Sequence, residues 1–369
     1  MSIKRIFISG FKSIESIELT DVSDFTAFAG ANGAGKSNFF DALCFVSMII
    51  KIGAVDAIRK YGGYSQIHCL KKRGTGARTF RFSIEIEIEK KLWEYNLELK
   101  KMDSDPTITE KLITDGIEIF SRKAGAFPQF KQKDKEKELL DFPKSRSSLM
   151  FAFSLPIYLW LTNINVYRID PLGAKIPDSA FTDNTELDKN GHNVATILAS
   201  LEKDNEFRET IMEWMEIIVP GLKKVSTENM RLDGRTALTF SETGTKAKFP
   251  ANLISDGTVY TLCILTAVLS RSSRLGLTLI EEPERGINPK AVAQIVELMR
   301  DNSNVSNPIW VTTHNETLVR SSKPEELIVV DKIDGKTQFK YGRDSADVVG
   351  DMPLDKAWLS NFLGGGLPW

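Results

Sequence analysis

The octapeptide G-A-N-G-A-G-K-S at residues 30–37 constrains this chain more than any other feature. It satisfies the pattern G-x-x-x-x-G-K-S/T in full, a pattern that works only where a strand runs into a tight loop and the loop into a helix. Both flanks comply. F-T-A-F-A reads as a short strand, and S-N-F-F-D-A-L-C-F-V-S-M-I-I, apolar and free of Gly and Pro, predicts a buried helix. A triphosphate needs several donors converging on it. Gly33 and Gly35 let successive N–H groups turn inward at a positive helix end, Lys36 adds a point charge for the β and γ phosphates, and Ser37 offers Mg²⁺ a hard oxygen. Gly30, Asn32, Gly33, Ala34, Gly35, Lys36, Ser37 and Asn38 are therefore the candidate nucleotide-binding set.

A second constraint is L-T-L-I-E-E-P-E-R-G-I-N-P at residues 277–289, where two carboxylates close an apolar strand. Neighbours on a strand point to opposite faces, so the two acids should have separate tasks. Glu281 is the candidate Mg²⁺ ligand. Glu282 is the candidate catalytic base, orienting the attacking water and accepting its proton. I-W-V-T-T-H ends a further apolar strand at His314. Ligands of open α/β sheets gather at the carboxyl ends of strands, which makes His314 a candidate γ-phosphate sensor. His68 and His192 have no such context and read as structural.

With 369 residues and 42% apolar content, the chain suffices for one large domain or two ordinary ones. Its 48 basic and 49 acidic side chains leave a net charge of −1, so overall charge neither favours nor excludes nucleic acid. M-S-I-K-R-I-F-I-S-G lacks a signal-peptide block and no later run approaches a membrane span, so a cytoplasmic protein without membrane contact is expected. Cys44, Cys69 and Cys263 lack C-x-x-C spacing and sit beside apolar residues, which predicts buried thiols rather than a disulfide or metal site.

Strict alternation from Phe80 to Ile88 and again from Trp93 to Leu99 predicts a β-hairpin with one buried face. Residues 101–150 turn charged and irregular, and F-K-Q-K-D-K-E-K-E-L-L is expected as an exposed helix or a mobile loop. Helical spacing runs from Leu187 to Trp214 and stops at V-P-G. Two strand–helix alternations follow, which implies a mainly parallel sheet. The expected fold class is α/β, with a mixed, mainly parallel core sheet, an antiparallel hairpin subdomain and a helical insertion. The expected units are an N-terminal lobe (1–100), an insertion, partly mobile (101–165), a helical lid (166–250), a C-terminal lobe (251–335) and a tail (336–369).

These segments together resemble the ABC-type ATPases of the RecF, SMC and OLD group. I-F-I-S-G-F-K-S-I-E-S-I-E-L is similar to that group's opening strands, and G-A-N-G-A-G-K-S-N-F-F-D-A-L to its Walker A. L-T-L-I-E-E-P-E-R-G-I-N-P resembles its Walker B and D-loop, I-W-V-T-T-H-N-E-T-L-V its switch-histidine segment, and L-I-S-D-G-T-V-Y-T-L stands where its signature motif begins a helix. The resemblance covers about residues 1–100 and 165–335. It implies an Mg-dependent ATPase in which Ser255 and Gly257 contact the γ-phosphate of ATP held by the opposite protomer of a head-to-head homodimer. A serine N-cap followed by free N–H groups agrees with that role, although S-D-G-T alone is an ordinary cap. Asp256 replaces a common glycine and Glu281 a common aspartate, as in the OLD-like branch. Gln66, in G-G-Y-S-Q-I, is the candidate Q-loop glutamine near the metal.

Between Asp56 and Glu85 there is no acid, while Arg59, Lys60, Lys71, Lys72, Arg73, Arg78 and Arg81 fall inside, a candidate DNA-contacting field or a solvated basic face. OLD proteins carry a nuclease after the ATPase, and the stretch following Thr313 is expected to hold none. D-K-A-W-L-S-N-F-L-G-G-G-L-P-W is rich in large apolar groups and either folds back on its domain or docks a partner. Short chains of this kind resemble the ATPase subunits of two-gene bacterial antiphage systems of Septu or PARIS type, which implies a sensor or scaffold for a separate nuclease or toxin. The alternative is a RecF-like DNA repair ATPase without a toxic partner. A transporter's nucleotide-binding subunit fits the F-K-S-I and S-D-G-T segments less well.

Overall fold

A computed structural model describes residues 2–123, 126, 129–132, 135–138, 142–179, 185–201, 204–230, 233–345 and 352–366. The short apolar runs become strands of one six-stranded sheet, β10 (Ile164–Tyr167), β14 (Leu277–Glu281), β15 (Ile309–Thr313), β3 (Phe25–Ala29), β16 (Leu327–Ile333) and β17 (Lys336–Tyr341), in that spatial order. The first five are parallel, and β17 returns antiparallel to β16. Both faces of this sheet are covered, as parallel sheets require. Phe28, Leu279, Trp310 and Ile328 pack on one side with the loop's helix, α1 (Lys36–Ile52). Ala27, Ile280, Val311 and Val329 pack on the other with α8 (Asp256–Leu269) and α9 (Pro289–Asn302).

The alternating segments build a second, wholly antiparallel sheet of eight strands, ordered β2 (Ile14–Val22), β1 (Ser2–Phe11), β4 (Phe80–Ile88), β5 (Lys91–Lys100), β6 (Thr107–Thr114), β7 (Ile117–Arg122), β8 (Gln129–Gln132) and β9 (Lys135–Glu138). The expected hairpin is its centre, with Phe82 opposite Leu97, Ile84 opposite Tyr95 and Ile86 opposite Trp93. Here the reading of F-K-Q-K-D-K-E-K-E-L-L, residues 130–140, as a helix or loop is corrected, since its described part forms β8 and β9. The edge of the hairpin offers unpaired backbone groups that recruit β6 to β9 one after another, a pairing partner invisible in local sequence. Residues 133, 134, 139 and 140 of that segment lie outside the described residues.

The helical spacing between 185 and 217 resolves into α6 (Val194–Leu201) and α7 (Asn205–Ile218), the second capped by the Asp204 carboxylate on the N–H groups of Glu206 and Phe207. A three-stranded antiparallel sheet, β11 (Leu222–Asn229), β12 (Thr236–Glu242) and β13 (Lys248–Pro250), follows directly. Among the described residues no helix is long and apolar enough to cross a membrane.

Of the two possibilities for the tail, its described part folds back. The helix Leu354–Leu359 brings Ala357 and Trp358 into full burial, and Leu363 joins them in the core. Trp358 Nε1 donates to the Gly365 carbonyl at 2.9 Å, and Asp355 pairs with Arg320 of α10 (Glu316–Ser321). Leu367, Pro368 and Trp369 lie outside the described residues. Trp358→Ala should cost about 3–5 kcal/mol of stability, the usual range for a buried tryptophan truncated to alanine, read as a lower midpoint in urea unfolding.

Candidate functional site

The phosphate loop leaves β3, whose last residue pairs with Thr313 of β15, and the Gly30 N–H donates to the Thr313 carbonyl at 3.2 Å. Gly33 and Gly35 adopt positive φ, 81° and 110°, and Gly35 caps the start of α1. Gly35 has a second reason to lack a side chain, since a Cβ there would overlap Thr337 Oγ1. That hydroxyl, on β17, donates to the Ala34 carbonyl at 2.9 Å and lies 2.7 Å from Ser13 Oγ, which in turn accepts from Asn38 Nδ2 at 2.7 Å. The loop is thus bracketed by two residues more than 300 positions apart in the chain. Asn38 faces this bracket, while Asn32, Gly33 and Ser37 face solvent. Lys36 is buried, with its ammonium donating to the Gly30 and Ala31 carbonyls at 2.6 and 3.0 Å. Burial lowers its pKa, and the charges of Glu282, Glu284 and Glu281 oppose that shift.

β14 lies beside β15, with Glu281 in register with Thr312, so the paired acids emerge at the edge where the loop begins. Their separation arises differently from the strand alternation expected. Glu281 is the last strand residue, and Glu282 already has left-handed backbone, φ 50°. Tyr260 of α8 holds that turn, its hydroxyl donating to the Glu282 carbonyl at 2.7 Å. A non-glycine residue in this conformation is strained by about 1–3 kcal/mol and persists only where its surroundings enforce it. The turn places Glu282 Oε1 3.2 Å from His314 Nδ1, within ion-pair distance though not aligned as a hydrogen bond.

Glu281 faces the other way. Arg168 Nη2 lies 2.8 Å from its Oε1 and 2.6 Å from Asp41 Oδ1, and Asp41 Oδ2 takes Lys12 Nζ at 2.6 Å. Burial alone would lower the Arg168 pKa, but the hydrogen bond to Glu281 and the two carboxylate charges raise it overall. Neither Arg168 nor Asp41 was a sequence candidate. A signal was present for Arg168, since I-N-V-Y-R ends an apolar strand in the same manner as I-W-V-T-T-H.

Ser255 caps α8, accepting from the Thr258 N–H at 3.1 Å, and Ser255 and Asp256 are exposed at the helix start. Gly257 sits against the loop after β14, and a Cβ there would meet the Gly286 carbonyl at 2.5 Å. Asp256, Gly257, Tyr260, Arg285 and Arg168 line a cavity of about 460 Å³. Gln66 is exposed on the one-turn helix Tyr64–Ile67, and among the described residues no side-chain hydrogen bond joins it to Ser37 or Glu281. In the basic segment, Arg59, Arg78 and Arg81 are paired with Asp56, Asp103 and Glu98, and Lys72 donates to Ser9 Oγ. Lys60, Lys71 and Arg73 are exposed.

Among the described residues no group of three or more His, Cys, Asp or Glu side chains could hold a metal ion. An ion carried in on a nucleotide needs less, because Mg²⁺ keeps waters and phosphate oxygens and takes only one or two protein oxygens. The exposed Ser37 hydroxyl and the Glu281 carboxylate, both hard oxygen donors, fit that requirement.

Residues 25–320 match the family described as "AAA domain, putative AbiEii toxin, Type IV TA system". The chain is 35% identical over 94 residues to the "Mitotic chromosome and X-chromosome-associated protein mix-1" of Caenorhabditis elegans, covering 23% of this chain and 7% of that protein. It is 27% identical over 240 residues to "Structural maintenance of chromosomes protein 2" of Plasmodium falciparum, covering 62% and 18%. The chain therefore spans less than a fifth of the length of the curated relatives it matches. Its fold is similar to that of an Smc head bound to the C-winged helix domain of ScpA, with TM-score 0.61, 15% identity, and coverage of 92% of this chain and 97% of that one. The SMC head domain from Thermotoga maritima gives TM-score 0.50 and 14% identity, with 92% and 99% covered. At such identities the likeness is one of fold, the α/β fold of an SMC or ABC ATPase head.

Gly35→Ala combines a disfavoured φ with an overlap on Thr337. It should lower stability by about 1–3 kcal/mol or more in thermal unfolding and weaken nucleotide binding in the same preparation.

Proposed function

The chain belongs to the AAA-domain family that its residues 25–320 match, and on that premise we propose that it is an ATPase whose head-to-head homodimer controls a separate effector. One observation carries the reading. The phosphate loop, the Glu281–Glu282 pair and His314 emerge at the same edge of three adjacent parallel strands, β3, β14 and β15. Loop N–H groups and Lys36 bind the β and γ phosphates of ATP. Glu282 orients the attacking water and accepts its proton, with His314 alongside to report the γ-phosphate. Ser37 and Glu281 would hold Mg²⁺, which when bound neutralises phosphate charge. Arg168, 2.8 Å from Glu281 Oε1, orients that carboxylate for the role, and Gln66 is the Q-loop member of the set.

Ser255 and Gly257 cap the γ-phosphate of a second copy, a role supported by the exposed start of the 14-residue helix α8. The effector is a nuclease or toxin and the setting bacterial antiphage defence in the cytoplasm, a reading supported by the toxin system in the family's description. DNA, where it binds, meets Lys60, Lys71 and Arg73 before the paired arginines. The names of the chromosome-associated relatives favour a second reading, a RecF-like DNA repair ATPase. A deletion strain separates the two, since defence predicts phage sensitivity and repair predicts sensitivity to DNA damage.

Glu282→Gln should retain ATP but hydrolyse it about 10² to 10⁴ times more slowly, and Lys36→Ala should weaken nucleotide binding. Unchanged turnover in the Gln variant removes Glu282 from its role. In light scattering, the Gln variant with ATP should double in mass, and adding Ser255→Arg should leave it a monomer.

A further inference from the structure

The third acid of E-E-P-E, Glu284, is only 5% exposed although it lies in the turn that follows β14. Burying a carboxylate is costly, and among the described residues the side chain that hydrogen-bonds it is Thr313, whose Oγ1 donates to Oε1 at 2.6 Å. Its other oxygen, Oε2, is buried and unpartnered. Desolvation pushes its pKa up, and the Thr313 hydroxyl and His314 pull against that shift. Such a group persists where it performs a task beyond stability.

That side-chain partner is a junction. Thr313 is fully buried, its carbonyl takes the Gly30 N–H at 3.2 Å, and its hydroxyl oxygen also accepts from the Asn315 N–H at 2.9 Å. His314 lies between the two residues so joined, and it faces Glu282 at 3.2 Å. With Glu284 as acceptor the Thr313 rotamer is locked in the orientation that holds Asn315. Without it the hydroxyl turns freely and the backbone on either side of His314 loses a tether. We propose that Glu284 is a positioning residue: through Thr313 it fixes the His314 imidazole beside Glu282 and ties that pair to the phosphate loop. The kinetic consequence rests on the ATPase reading above, whereas the structural consequence does not.

Two measurements on the full chain test it. The chain has three histidines, so the His314 ring signal in a proton–carbon NMR spectrum is assigned by its loss in His314→Gln. Thr313→Val, nearly isosteric, and Glu284→Ala should both shift that signal and leave those of His68 and His192 in place. Thr313→Ser keeps the hydroxyl, and Glu284→Gln keeps an acceptor oxygen, so both should resemble the parent. In steady-state hydrolysis the Val and Ala variants should lose about tenfold in kcat with KM held within about twofold, and the double variant should be no worse than the poorer single. If Glu284→Ala fails to fold, Thr313→Val alone decides. An unmoved His314 signal in folded Thr313→Val, or losses that multiply in the double variant, overturns the proposal. A parent protein that turns over no ATP overturns the ATPase reading instead and leaves the NMR result to judge Glu284.

Discussion

The hydrogen-bonded register between β14, β15 and β3 is the constraint on which the rest of this molecule depends. Glu281 opposite Thr312, and Thr313 opposite Ala29, bring β3 to the same edge as two strands hundreds of residues further along the chain, with their loops starting side by side. A slip by one residue would turn each side chain to the other face of the sheet and bury the wrong half of every strand. Two cores, one on each side, therefore hold the register as firmly as the ladder itself does.

Charge organises the edge once the strands have assembled it. Lys36 is buried among Glu281, Glu282 and Glu284, Arg168 straddles Glu281 and Asp41, and His314 meets Glu282. Side chains held at these distances orient one another, and removal of one partner leaves the other without its contact. Such an arrangement holds its donors in fixed positions, as the proposed binding of a triphosphate requires. The bracket of Ser13, Thr337 and Asn38 adds neutral hydrogen bonds to the same end, so the glycine-rich loop has little freedom despite its composition.

Much of the fold was legible because its signals are local. Alternation marked β4 and β5, helical spacing marked α6 and α7, and the glycine loop announced the strand before it and the helix after it. The strands of residues 107–138 were not legible, because polar residues at a sheet edge take their conformation from the neighbouring strand's free backbone. At the site, strand-end position singled out the paired acids and His314 in the chain. The same signal at Arg168 went unread, and Glu284 and Thr337 carried none, since a turn acid and a strand threonine are ordinary in any sequence. The basic run between 59 and 81 shows the reverse error of scale, for its lack of nearby acids in sequence concealed Asp103 and Glu98 nearby in space.

By itself the sequence determined the strand and helix that flank the glycine-rich loop, the central hairpin and the helices of 194–218, and that acids and a histidine close two further strands. Only the tertiary structure decided which charges meet, that Glu281 shares Arg168 with Asp41, that Glu282 turns to His314 through a left-handed residue, and that Glu284 is buried. Periodicity and composition are properties of neighbours along the chain. Desolvation and ion pairing depend on distances of a few ångströms between side chains whose separation in sequence carries no information about their separation in space.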